Sequence, residues 1–291
     1  MAPNNLPQRE EYLRKKRKKR LQRYGIFLML SILFIVLFSY AAHRKEFRIS
    51  TIELEGGILV THEDVEVKSL EYLQGSYFWL FPKDNSFWYP NSKLEDYLRE
   101  NFKRIDTIKV NLKGLRTLHI TITERKPFAI WCNGLPENEE VRPNESEELL
   151  SSPERTCYFI DQNSTIFAPA PDFSGDAYFK YYSVSTTSPI GKEFMASTTQ
   201  FVKIADFVAQ TKAIGVRPLY IVAKEDGEFS LVVSGGGEIY FDLKEPLSKV
   251  AENLGALLRT PEMTKTADGN LPIEYIDLRY GNKLFYKLKG E

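Results

Sequence analysis

The side chains best suited to covalent or acid–base chemistry are thinly spread in this chain. His43, His62 and His119 are the only histidines among 291 residues. They fall singly at the edge of an apolar run, at a helix start and in a strand, so they form neither a metal pair at helical spacing nor a base–nucleophile pairing. No serine lies in a nucleophile-elbow context, and nothing in the spacing of the many carboxylates singles out a pair for acid–base work. Gly235, Gly236 and Gly237 resemble a phosphate loop in composition only. The Lys-Ser/Thr and helix start that would supply converging amides are missing, and a hairpin turn fits better. The expectation is a non-enzyme with no cofactor and no small-molecule substrate.

Two other chemistries remain. Cys132 and Cys157 are the only cysteines. As a disulfide they would close a loop worth about 3.5 kcal/mol in the chain-entropy model; as free thiols they would act as small apolar residues. The second chemistry is recognition by main chain. Residues 273–287 mix β-formers with Arg279, Lys283 and Lys287, and a strand near the end of a chain is often a sheet edge. Unpaired N–H and C=O groups there can accept an extended partner segment as an added strand.

These groups need elements to carry them, and the first is a membrane helix. Residues 26–42, IFLMLSILFIVLFSYAA, hold no charge, and Tyr24 and Gly25 extend the run to 19 positions. That is about 28 Å of helix at ~1.5 Å per residue, enough for one crossing. Upstream, Arg9, Arg14, Lys15, Lys16, Arg17, Lys18, Lys19, Arg20 and Arg23 oppose only Glu10 and Glu11, which places the N-terminus in the cytoplasm. A cleavable signal peptide, with Ser39 and Ala41 before the cut, and a buried core helix are the competing readings. The zero formal net charge hides this tail: residues 1–23 are net +7 and the remainder net −7, leaving no basic face for nucleic acid. The organisation expected is a basic tail (1–23), a transmembrane helix (24–42) and an extracytoplasmic part.

The extracytoplasmic part opens with a strand at 48–55 and a turn at Gly56-Gly57. A helix N-capped by Thr61 then runs to about Leu73 and ends at Gly75. An aromatic-rich connection at 77–89 reads as packing for an irregular loop, or as a membrane-surface or partner patch. Ser92 and Glu95 form a capping-box pair for a second helix, and strands at 105–112 and 117–123 surround a turn at Lys113-Gly114. The order is strand, helix, helix, strand, strand, with one helical layer over one sheet face. Beyond it come a strand at 179–184, a helix at about 194–212, strands at 220–223, 229–233 and 238–241, and an amphipathic helix through Leu247, Val250, Leu254, Leu257 and Leu258. The fold class is α+β throughout, the second domain having an antiparallel sheet.

Here a resemblance becomes specific. The strand–helix–helix–strand–strand order is that of a POTRA domain, and TERKPFAIW (residues 123–131) resembles the E-R-x-P-x-A-x-W signature of the bacterial cell-division family FtsQ/DivIB. YFID (158–161) with Thr165, Ile166 and Phe167 is similar to that family's second strand pair, and YIDLRYGNKLFYK (275–287) to its D-L-R motif. The resemblance implies a POTRA domain at 47–126 and a C-terminal β domain at 127–291. An acidic, mobile loop at 133–156 departs from the family pattern. If 129–132 pairs with 157–160, Cys132 and Cys157 would staple the base of that loop.

The function so implied is that of a bitopic division-site scaffold in the plasma membrane at the septum, regulating septal wall synthesis. Its partners would be the small membrane proteins FtsB and FtsL, held by the C-terminal edge strand. Carried over to this chain, Arg279 and Tyr280 are the expected anchors, with Leu284, Phe285 and Tyr286 lining the added strand. A POTRA-bearing factor for export or envelope assembly is the alternative. It would normally carry tandem POTRA repeats or a barrel of alternating strands, and neither is evident here.

Overall fold

The apolar run and the basic cluster before it form one continuous helix, α1 (Leu6–Ala42), so helical structure extends well into the expected tail. The computed structural model describes residues 6–136, 156–171, 177–185, 188–224, 227–281 and 283–290. Most of the acidic insertion, residues 137–155, lies outside them. Among the described residues α1 is the one helix long and apolar enough to cross a membrane, over Tyr12–Ala42. Its large apolar side chains stay exposed, Phe27 by 73 % and Met29 by 71 %. The chain divides into two units, Met1–Glu124 and Arg125–Glu291.

In the first unit, β1 (Thr51–Glu55), α2 (His62–Leu73), the short strands β2 (Ser76–Tyr77) and β3 (Phe81–Pro82), α3 (Asn91–Asn101), β4 (Ile105–Lys113) and β5 (Thr117–Glu124) follow α1. The main sheet has the order β1-β5-β4, with β1 parallel and β4 antiparallel to the central β5. Alternation along β4 and β5 sends Ile108, Val110, Leu118, Ile120 and Ile122 to one face, where Val65, Leu73, Leu94 and Leu98 of the two helices cover them. Thr61 caps α2 by accepting from the Asp64 amide at 3.2 Å.

The capping box expected at Ser92 and Glu95 does not form. Asn91 already begins α3 after Pro90, whose fixed φ suits a helix start. Glu95 instead accepts the Val110 amide at 2.9 Å, which satisfies a donor on edge strand β4.

The second unit contains β6 (Ala129–Asn133), β7 (Cys157–Ile160), β8 (Ile166–Pro169), β9 (Lys180–Ser183), α4 (Thr198–Ala213), β10 (Pro218–Ala223), β11 (Glu228–Val233), β12 (Gly237–Asp242), α5 (Leu247–Leu257), β13 (Ile273–Tyr280) and β14 (Lys283–Leu288). Among the described residues they form a nine-stranded sheet ordered β14-β13-β12-β11-β10-β9-β6-β7-β8. The strands β10, β11 and β12 run antiparallel as expected, but the sheet as a whole is mixed, which corrects the expectation of an antiparallel sheet. The β9–β10 and β12–β13 pairs are parallel because α4 and α5 are crossover connections that return the chain to the starting end of the sheet, and β6 and β9 are parallel across the intervening strands β7 and β8. Both helices cover one face, burying Phe201, Ile204, Phe207, Val250 and Leu254 against Ile221, Leu231, Ile239, Phe241 and Ile276.

Candidate partner-binding edge

The ends of the nine-stranded sheet differ. At β8 the edge is covered: the Ile166 amide donates to Lys192 O at 2.9 Å, Gly191 donates to Ile166 O at 2.7 Å, and Thr165 bridges to Glu193. At β14 no described strand pairs with the outer side. An uncovered edge presents main-chain donors and acceptors to any extended segment of matching length.

The residues expected to anchor an added strand, Arg279 and Tyr280, and to line it, Leu284, Phe285 and Tyr286, do not share one face. Directly paired residues project to the same side of a sheet, and Phe285 pairs with Asp277 whereas Tyr286 pairs with Ile276. Ile276 belongs to the helix-covered core, so Tyr286 lies on the helical side, still 41 % exposed. Phe285, 50 % exposed, lies on the helix-free side and meets the 57 % exposed Tyr280 edge-on at 5.3 Å. Leu284 packs against the core and is not part of the outer surface.

Arg279 departs furthest from expectation. It sits on β13, inside the sheet order, and its guanidinium is already engaged within the chain. Nε donates to Asp277 Oδ1 at 2.8 Å and Nη2 to Oδ2 at 2.6 Å, while Nη1 donates to Glu228. The cation also lies 5.5 Å from the Tyr240 ring and 5.9 Å from the Tyr280 ring. Burial pushes the Asp277 carboxyl up, but its bonds to Arg279 outweigh that and hold it below the ordinary value. Asp277 in turn raises Arg279, helped by Glu228 and opposed by burial. Arg279 therefore acts as a positioning residue that ties β13 to β11 beneath Tyr280 and Phe285. Asp277 was legible in the sequence, because residues i and i+2 share a strand face. Glu228 carries no comparable local signal.

The other chemically notable residues have structural roles. Cys132 and Cys157 are opposite each other on β6 and β7 and form a disulfide. Trp131 Nε1 donates to Ser183 Oγ at 2.7 Å, and Arg125 pairs with Asp161, which also accepts the Asn163 and Thr165 amides. In the first unit, Glu124 Oε1 accepts the amides of Ile58, Leu59 and Val60 at 2.7, 2.8 and 2.9 Å.

The histidines lie apart: His43 contacts Ser39 O, His62 contacts Ile52 O and His119 contacts Glu55. Among the described residues no group of three His, Cys, Asp or Glu side chains is placed to hold a metal ion. Gly235 and Gly236 take positive φ in the turn between antiparallel β11 and β12, so the glycine run is a hairpin. No protein-family model matches the chain, and no curated protein matches it.

Proposed function

We propose that this protein is a single-span membrane scaffold of the FtsQ/DivIB kind. On this reading α1 anchors it with a cytoplasmic N-terminus, the first unit is a POTRA-type module, and β14 captures an extended segment of a small FtsB/FtsL-like membrane partner at the division septum. The observation that carries the reading is the asymmetry of the nine-stranded sheet, whose β8 edge is covered while, among the described residues, β14 is open beside Tyr280 and Phe285. The disulfide agrees with an oxidising compartment outside the cytosol.

Added-strand capture draws affinity from main-chain bonds and selectivity from flanking rings. Phe285→Lys with Tyr280→Ala removes exposed rings without opening the core. Capture of the partner by the full-length protein should fall at least about tenfold, one buried contact of ~1.4 kcal/mol. Undiminished co-purification eliminates the β14 site. A fluorescent fusion reads the cellular role independently: a mid-cell band agrees with division, and a uniform envelope signal speaks against it. Arg279→Glu is the wrong probe, because it adds a third carboxylate beside Asp277 and Glu228 and so disturbs the fold.

A further inference from the structure

The β2–β3 ribbon in the first unit ends in an unusual tip. Phe78 and Trp79 are 88 % and 93 % exposed, and both hold left-handed backbone, with φ of 49° and 62°. Bulky residues adopt that conformation rarely, and water is a poor environment for two adjacent rings. Their neighbours show where the tip lies. Ser39 Oγ of α1 donates to Leu80 O at 2.6 Å, the Phe38 ring lies 5.9 Å from Phe81 and 5.7 Å from Trp88, and Asn85 Nδ2 donates to Ala42 O at 2.9 Å. Ser39 is three residues before the end of α1, hence about 4.5 Å below it along the axis at ~1.5 Å per residue.

We infer that Phe78 and Trp79 insert into the lipid headgroup–acyl boundary of the outer leaflet, as a second membrane contact beside the end of α1. The Leu80 bond fixes the adjoining ribbon to the last turn of the apolar helix, the level at which aromatic side chains settle in membrane proteins. The tip carries no charge or carboxamide to specify a protein partner, only rings suited to an interface that is wet on one side and apolar on the other. The left-handed pair keeps both rings outward, away from the aromatic cluster of Phe38, Phe81 and Trp88 behind them.

This rests on α1 spanning a bilayer with its N-terminus in the cytoplasm, and on no other part of the proposed function. The test uses full-length protein in phosphatidylcholine vesicles whose acyl chains are brominated near the headgroup. Comparison of the wild type with Trp79→Phe isolates the Trp79 emission from that of Trp88 and Trp131. Bromine should quench at least half of that component, and aqueous iodide should leave it nearly unchanged. Quenching by iodide with none by bromine overturns the inference. In native membranes, a photocrosslinker at position 78 should yield lipid adducts; protein adducts alone would assign the tip to a partner instead. Alkaline extraction reads the span separately: a chain that resists extraction while Trp79 remains aqueous overturns the tip and leaves α1 standing.

Discussion

Glu124 offers the sharpest test of what holds the first unit together. Its Oε1 gathers the consecutive amides of Ile58, Leu59 and Val60, the turn that leads into α2. Ile58 and Leu59 are 86 % and 63 % exposed, so water can replace the carboxylate at those two donors, whereas Val60 is 6 % exposed and cannot recover its bond. Hydrogen bonds to a charged group contribute about 1.5–3 kcal/mol, and a stranded buried donor costs about 1–3 kcal/mol. Glu124→Ala should therefore destabilise the unit by about 2–3 kcal/mol, and Glu124→Gln, which keeps the acceptor and loses the charge, by about 1 kcal/mol.

The pH dependence follows from the same bonds. Burial opposes ionisation of Glu124, but the three amides, assisted by Arg104, hold its folded pKa below the ordinary value. A depressed carboxylate stabilises the fold above its unfolded pKa of about 4.3 and loses that contribution as pH falls through the folded value. The gap between wild type and Glu124→Gln should then narrow below about pH 4. Hydrogen exchange at the β4 and β5 amides of the full-length protein in detergent measures both effects. Equal protection in wild type and Glu124→Ala at pH 7, or a gap unchanged down to pH 3, refutes the reasoning.

Two further outcomes are expected. Replacing both Cys132 and Cys157 by Ser removes a cross-link spanning 25 positions and should cost the second unit about 3.5 kcal/mol; an unshifted urea midpoint, with wild type equally indifferent to reductant, would contradict this. Arg279→Met strands Asp277, which is 7 % exposed, next to Glu228, and should cost about 2 kcal/mol, less than a fully buried pair because the site is partly wet. Adding Asp277→Asn should restore most of it in a double-mutant cycle. Because Asp277 is also held below its ordinary value, the Arg279→Met penalty should fade below about pH 4. A cost that stays constant with pH would show that the pairing is not its source.

Local pattern and long-range pairing differed in how legible they were. Alternation at Ile108, Val110, Leu118, Ile120 and Ile122 marks β4 and β5 because the side-chain period of a strand is fixed by covalent geometry. The mixed character of the larger sheet was not legible. Strand direction depends on which strands become neighbours, and β6 reaches β9 across two intervening strands and the acidic insertion. Glu95 looked like a cap because capping boxes are read over four residues, yet its partner is Val110, 15 positions away. Arg279 looked free for the same reason: Glu228 approaches from 51 positions upstream. Phe285 and Tyr286, both expected to line an added strand, lie on opposite sides of the sheet, because adjacent strand residues alternate in direction.

The bonds from Ser39 to Leu80 and from Asn85 to Ala42 have a mechanical consequence. A body hung from its anchor by a slack cord would sweep a cone and sample every azimuth. Here the final helical turn is clasped by the body it carries, so with α1 crossing a bilayer as proposed, twisting the shaft would turn the first unit with it. A companion helix gripping one flank of α1 would thereby choose the compass bearing of the first unit.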